Sequence, residues 1–140
     1  MNKEKAFELL KEYLLEYNSL GFVFHSLFIK EFRNLLKEAS GHEKQIFSLL
    51  IKQLSFVKDM GVRVNEADSN EKLKGTNTNI DYYSLHIQDK IVNIRMLITF
   101  ENNNTPLFLS AFYERAGKRV TNYDLWIPVI KERYEEMIGE

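Results

Sequence analysis

The chain has no cysteine and no long apolar run among its 140 residues. Without cysteine it can form neither a disulfide nor a thiolate zinc site, and it has no thiol nucleophile. No apolar segment approaches the ~20 residues that a membrane-spanning helix needs. The first residues are charged and lead into an amphipathic segment, not into the apolar core of a signal peptide. We therefore expect a cytoplasmic protein without a membrane partner.

Several catalytic motifs are also missing. There is no glycine-rich phosphate loop, no Ser-His-Asp order and no paired-carboxylate signature. His25 and His42 lie far from His86 in the sequence, and no carboxylate–histidine spacing is typical of a metal site. We therefore expect neither a metal nor another cofactor, and a divalent-metal nuclease has no support.

What the chain does contain is enough apolar material for one domain. Hydrophobic residues make up 44% and aromatic residues 13% of the sequence, which can supply a core for a single domain over residues 1–140. The net charge of −1 gives no overall case for nucleic-acid binding. Residues 72–123 differ, because they carry seven basic and four acidic residues. That local excess fits either a polyanion site or an ordinary solvated surface.

Apolar residues at helical spacing predict four helices. The first covers residues 3–18, the second begins at Ser26 as N-cap, and the third ends at Gly61. The last covers residues 124–137, with Pro128 in its first turn or at a kink. The apolar faces of the first three consist, in order, of Ala6, Leu9, Leu10, Tyr13, Leu14 and Tyr17, then Ile29, Phe32, Leu35 and Leu36, then Ile46, Phe47, Leu50, Leu54 and Val57.

Between residues 80 and 113 the apolar period changes to two, which is typical of strands. Short turns at 89–90 and 102–105 separate three segments, and Pro106 stands at the start of the third. Short turns imply antiparallel neighbours, and residues 22–24 could add a first strand. The prediction is an α+β fold: a small antiparallel sheet of three to five strands packed against two helices. An N-terminal helical extension (1–19) and a C-terminal helix would complete the core at 20–140.

Arg95 and His86 are the first candidates for chemistry. The register that buries Ile94 and Met96 places Arg95 on the opposite, less apolar face, beside the strand that bears His86. A cation next to a group that can shuttle a proton suits a phosphodiester site. Equally, Arg95 could be solvated on an exposed sheet face and His86 an ordinary surface residue.

Basic residues also flank the sheet. Arg115, Lys118 and Arg119 follow the last strand, where guanidinium groups could clamp phosphate or simply end the strand in solvent. Lys72 and Lys74 stand before Gly75 and could contact phosphate or decorate a loop. Tyr123 could stack on a base or help to pack the start of the last helix, and packing is the commoner role.

In this order, the segments resemble the RelE/ParE toxin superfamily, most closely its phage-derived HigB-like branch. The likeness covers roughly residues 22–137. It includes Lys-Leu-Lys-Gly at 72–75 and Tyr-Ser-Leu-His-Ile at 83–87, where the family favours Tyr-x-Leu-Arg-Ile. Ile-Arg-Met-Leu at 94–97 matches the family's arginine strand, and Leu-Ser-Ala-Phe-Tyr-Glu-Arg at 109–115 resembles its Leu-x-x-Phe-x-Lys-Lys/Arg.

The resemblance implies a toxin of a toxin–antitoxin system that enters the ribosome and cleaves mRNA without metal, as the ribose 2′-hydroxyl attacks the adjacent phosphate. Its partners would be the ribosome with mRNA and a cognate antitoxin that covers the basic face. The helix at 3–18 is an addition to the family pattern and could be a homodimer contact or a lid. The implied catalytic residues are Arg95, Arg115, His86 and Tyr123, and the implied RNA-binding residues are Lys72, Lys74, Lys118 and Arg119.

The chain departs from the family pattern at His86, which replaces the family's first strand arginine. Two other features favour an alternative function: Glu114 stands where a lysine is usual, and the net charge is nearly neutral. They fit a non-enzymatic protein of the same fold, either a gyrase-inhibiting toxin like the ParE branch or an inactive relative.

Overall fold

A computed structural model describes residues 1–39, 41–102, 104–114 and 121–139. It confirms the α+β class, with helices and strands in the expected chain order. None of the described helices is both long and apolar enough to cross a bilayer. The elements are α1 (Lys3–Ser19), β1 (Val23–Phe24), α2 (Ser26–Glu38), α3 (Glu43–Met60), a 3-10 helix (Gly61–Glu66), β2 (Glu71–Lys72), β3 (Tyr82–Gln88), β4 (Asn93–Glu101), β5 (Thr105–Tyr113) and α4 (Ile127–Ile138).

The five strands form one sheet in the order β1-β5-β4-β3-β2. Neighbours from β5 to β2 are antiparallel, as short turns require. β1 pairs with β5 in parallel, so the sheet is mixed and not wholly antiparallel as predicted. The reason is that α2 and α3 intervene between β1 and the rest of the sheet, and a connection of that length can return the chain in the same direction.

The main core lies between one face of the sheet and α1, α2 and α3. Phe108 of β5 is at its centre, with the rings of Phe22, Phe24 and Phe28 at 5.8, 4.9 and 5.4 Å. The predicted inward faces of α1 and α3 are confirmed in outline, and four residues of α1 are fully part of this core. α1 is therefore packed into the domain and is not a detached extension: Ala6, Leu10, Leu14 and Tyr17 are all buried.

The predicted face of α2 is rotated from the observed one. The helix buries Phe28, Phe32 and Leu36, whereas Ile29 is 38% exposed. Its N-cap is His25 and not Ser26, because the His25 Nδ1 accepts a hydrogen bond from the Leu27 N–H at 3.0 Å. The helix is rotated because burying the large ring of Phe28 in the aromatic cluster stabilises the fold more than burying the aliphatic side chain of Ile29 would.

The opposite sheet face is covered too, by α4 and the segment 121–126. Its smaller core contains Tyr82, Leu97 and Leu109 of the sheet and Ile130 of α4. The alternative in which Arg95 is solvated on an exposed sheet face is therefore wrong. Leucines that alternate with its polar residues supply enough apolar surface to hold a helix.

An ion pair covers the free edge of β5 beyond the end of β1. Arg133 of α4 and Glu31 of α2 pair through both carboxylate oxygens, at 2.8 and 2.9 Å. Glu31 Oε1 also accepts hydrogen bonds from the Ala111 N–H and the Ser110 hydroxyl at 3.1 Å, while Arg133 donates to the Leu109 carbonyl at 2.8 Å. Side chains thus satisfy backbone groups that a longer β1 would have paired.

A second buried carboxylate stands at the start of α3. Glu43 is 2% exposed and lies 3.2 Å from the Lys3 Nζ, which also donates to the Leu36 carbonyl. A hydrogen bond to backbone at Glu43 lowers the pKa of its carboxyl below the ordinary 4.5, burial opposes this shift, and Lys3 adds to it. The charged carboxylate therefore links α1 to α3.

Because the Glu43 pKa is lower in the folded state, its carboxylate should stabilise the protein above about pH 4.5. That contribution should be lost as the pH falls from about 4.5 through the folded pKa. We expect the difference in unfolding free energy between wild type and Glu43→Gln to be constant above about pH 5.5 and to shrink below about pH 4.5. Urea titrations over this range measure it, and a difference that does not change with pH would contradict the argument.

Candidate functional site

Three of the residues predicted to be catalytic lie together on the face covered by α4. His86 of β3 is directly opposite Arg95 of β4 in the antiparallel register. Tyr123, from the segment before α4, donates a hydrogen bond from its hydroxyl to the Ser84 hydroxyl at 2.8 Å. Because Ser84 and His86 are two residues apart on one strand, they share a face. We call Ser84, His86, Arg95 and Tyr123 the Arg95 cluster.

Arg95 is a buried cation with few partners. Its side chain is only 5% exposed, and its Nη1 donates to the amide oxygens of Asn93 and Gln88, the latter at 3.4 Å. Its Nε is buried without a hydrogen bond, and no carboxylate among the described residues forms an ion pair with it. Taking an arginine out of water for neutral partners is costly.

His86 is neutral in this arrangement. Burial, and then the charge of Arg95, lower its pKa from the ordinary 6.5 to about 4. Its Nε2 lies 3.4 Å from Glu71 Oε2 but makes no hydrogen bond. His86 therefore cannot supply the positive charge of the family's arginine at neutral pH. As a proton acceptor it is weak while it stays buried, since a base works best with a pKa near the operating pH.

Tyr123 combines packing with a polar contact. Its ring meets Phe112 edge-on at 6.4 Å, and Phe112 in turn stacks on Trp126 at 4.5 Å. Burial raises the pKa of the Tyr123 hydroxyl, which therefore remains a hydrogen-bond donor at all ordinary pH values. The position fits the packing role, and the hydrogen bond to Ser84 holds the segment 121–126 against the sheet face that carries Arg95.

Replacing Tyr123 by phenylalanine removes only the hydroxyl. We expect the unfolding free energy to fall by about 1 kcal/mol, because the fully buried Ser84 hydroxyl loses its partner. Urea denaturation measures this loss. In the double variant that also has Ser84→Ala, the coupled loss should be smaller than the sum of the two single losses. Additive losses would mean that the hydrogen bond does not hold the segment.

Two of the predicted RNA-binding residues, Lys72 and Lys74, do not join the Arg95 cluster. Lys72 pairs in register with Tyr83, whose ring lies in the main core, so Lys72 is on the other face of the sheet. Its Nζ is 3.2 Å from Asp81 Oδ2. Lys74 is exposed beyond β2, whereas Leu73 between the two lysines packs under α4.

Glu71 is the residue at this site that the sequence analysis missed. It pairs with Ser84 in register and brings a carboxylate next to His86. The alternation around Leu73 was the available signal: if Leu73 faces the core of the covered face, Glu71 faces the same way two residues earlier.

The remaining predicted residues, Arg115, Lys118 and Arg119, lie outside the described residues. The chain reaches them directly from Glu114, which is 6% exposed and whose N–H donates to the Asn93 carbonyl at 2.8 Å. Glu114 thus continues the β4–β5 ladder past Tyr113. Its partner there is Asn93, which also accepts a hydrogen bond from Arg95.

A groove of about 1150 Å³ opens beside His86, between α3 and the edge formed by β2 and β3. Its charged lining residues are more acidic than basic, which is unfavourable for a polyanion. In the described part of the chain, no three His, Asp or Glu side chains converge on a point where they could hold a metal ion. The charged lining residues are Lys52, Asp59, Asp68, Glu71, Asp89 and Lys90.

Comparison with known proteins adds no relative. No protein-family model matches the sequence, and no curated protein or solved structure is significantly similar to the chain.

Proposed function

We propose that this chain is a toxin of the RelE/ParE type that cleaves mRNA on the ribosome by attack of the ribose 2′-hydroxyl. The observation that supports this best is Arg95. It is a buried guanidinium that forms no ion pair with a carboxylate among the described residues, and it is adjacent to His86 and Tyr123. Folding alone gives no reason to bury such a charge, and a buried charge of this kind is a candidate for a functional site.

In this function Arg95 binds the phosphate whose charge grows in the transition state. His86 takes the proton from the 2′-hydroxyl, and Tyr123 contacts the phosphate or stacks on a base. RNA reaches Arg95 only after the groups that bury it have moved aside, because Arg95 is only 5% exposed. Once water enters, the pKa of His86 returns towards its ordinary 6.5, where it is a useful base.

Basic residues that follow β5 in the sequence, Arg115, Lys118 and Arg119, would extend the phosphate contacts. The ribosome with its mRNA and a cognate antitoxin are the partners that accompany this function, and a homodimer is a further proposal. The mechanism uses no metal and no other cofactor.

A non-enzymatic function is the second candidate, as a gyrase-inhibiting toxin or an inactive relative. Three observations favour it: Arg95 is 5% exposed, His86 is neutral, and the adjacent groove is acidic. Each would hinder the binding of an RNA strand to the structure as it stands.

Translation in a cell-free extract separates these candidates. Purified wild-type protein should stop synthesis and leave mRNA fragments that end in a cyclic phosphate. Arg63→Gln controls for the loss of an arginine away from the Arg95 cluster. Arg63 is exposed, and its ion pair among the described residues is with Glu66 of the same 3-10 helix. This variant should remain as active as wild type.

Intact mRNA and normal synthesis with the wild type would refute the endonuclease. A supercoiling assay with purified gyrase then decides the second candidate. Inhibition identifies a gyrase poison, and its absence indicates an inactive relative.

A further inference from the structure

The corner where α1, β1 and α2 meet exposes an unusual amount of apolar surface. Five of the large exposed hydrophobic side chains fall within residues 15–29, and they lie at the end of α1, on β1 and in the first turn of α2. Elsewhere in the described chain the largest such group is the pair Ile91 and Tyr113, which line one pocket together. The five are Leu15 (59% exposed), Leu20 (51%), Leu27 (40%), Ile29 (38%) and Val23 (37%).

A groove of about 550 Å³ runs through this corner. Its walls are apolar residues of α1 and α2, namely Phe7 and Leu14 on one side and Ile29 on the other, and β1 forms its floor. Contiguous apolar surface of this kind on a folded domain is typical of a binding site.

The floor of the groove is the open edge of the sheet. β1 is the outermost strand, and the His25 N–H donates to the Phe108 carbonyl at 2.9 Å. Since alternate residues of a strand direct their main-chain groups to opposite sides, the N–H and C=O of Phe24 point away from β5. An extended peptide can pair with such an edge and place alternate side chains in flanking pockets.

The charges at the rim favour an acidic partner. Lys11 and Arg33 line the groove and are exposed, and Glu8 is the lining carboxylate. Neither cation forms an ion pair with a described residue. The Arg33 guanidinium instead lies 4.4 Å from the centre of the Phe7 ring, which leaves its edge free to bind a carboxylate.

We propose that this groove binds an extended segment of a partner protein in which apolar and acidic side chains alternate. The segment adds a strand to β1, its apolar side chains pack between Leu14 and Ile29, and its carboxylates meet Lys11 and Arg33. A second copy of the chain is a poorer occupant, because a twofold axis at β1 would bring these cations towards their own counterparts. The groove is on the α1–α3 side of the sheet, so the proposal is independent of the Arg95 cluster.

Selection from a display library of random peptides on immobilised wild-type protein tests this proposal. The enriched sequences should alternate apolar residues with Asp or Glu. Synthetic copies should bind at least about tenfold more weakly to the double variant Lys11→Glu/Arg33→Glu. Lys58→Glu/Arg63→Glu makes the same charge change at exposed positions elsewhere and should leave affinity within about twofold.

Two further measurements address the strand addition and the occupant. Copies of the best peptide with alternate amides N-methylated should lose binding, because they cannot pair with Phe24. In the absence of peptide, sedimentation should give the same mass for the wild type and for Leu15→Lys, because no second copy occupies this groove. The proposal is overturned by a library without enrichment, by enriched basic sequences, by unaltered binding of the N-methylated peptide, or by a dimer that Leu15→Lys dissociates.

Discussion

Replacing Glu31 by alanine is expected to lower the free energy of unfolding by about 3 kcal/mol. The substitution leaves the Arg133 side chain, which is 11% exposed, without its carboxylate partner. It also removes the acceptor for the Ala111 N–H and the Ser110 hydroxyl at the edge of β5. The Glu31 side chain is itself 23% exposed, so water can relieve part of the loss, and we expect the lower end of the usual range for a broken buried pair. Urea denaturation monitored by circular dichroism measures it.

Glu38→Ala is the matched control for Glu31→Ala. Glu38 is exposed at the end of the same helix, and its replacement should change the unfolding free energy by less than about 0.5 kcal/mol. The double variant Glu31→Met/Arg133→Met should recover part of the loss, because it leaves no unpaired charge. If Glu31→Ala costs no more than Glu38→Ala, the ion pair does not hold α2 and α4 at the edge of β5.

The inner face of the sheet could be predicted because it depends on local pattern alone. Alternation places Tyr83, Leu85 and Ile87 on one side of β3, and the structure buries them under the helices. The same alternation correctly placed Arg95 opposite that face and beside His86. An apolar period of two is read from consecutive residues, so this prediction does not require knowing which distant residues pack against the strand.

The packing of α4 on the sheet face that carries Arg95 could not be predicted in the same way. Leu97 and Leu109 belong to different strands, and their common apolar surface exists only once the register of β4 and β5 is set. The Glu31–Arg133 pair joins residues 102 positions apart, and no spacing rule links them. β2 is only two residues long, so the alternation of Glu71 with Leu73 becomes a signal only once Leu73 is known to face the covered core.

Arg95→Met should separate function from fold at the candidate site. We expect the unfolding free energy to stay unchanged or to rise by about 1 kcal/mol, because methionine fills a similar space without a buried charge. Gln88 is exposed and Asn93 is half-buried, so water can satisfy the amide oxygens that lose the Arg95 Nη1. Inhibition of translation should nevertheless fall by about 100-fold, since the phosphate loses its guanidinium.

Arg133→Met is the matched control, because it makes the same substitution at a second buried arginine that does have a carboxylate partner. It should destabilise the protein by about 3 kcal/mol, since the Glu31 carboxylate is left unpaired. Translation assays at a temperature where both variants stay folded should then show an inactive Arg95→Met and an active Arg133→Met. If Arg95→Met also unfolds the protein, and its activity falls only in step with the folded fraction, Arg95 is a structural residue. The endonuclease proposal then loses its main support. That support is the burial of a guanidinium that folding does not need.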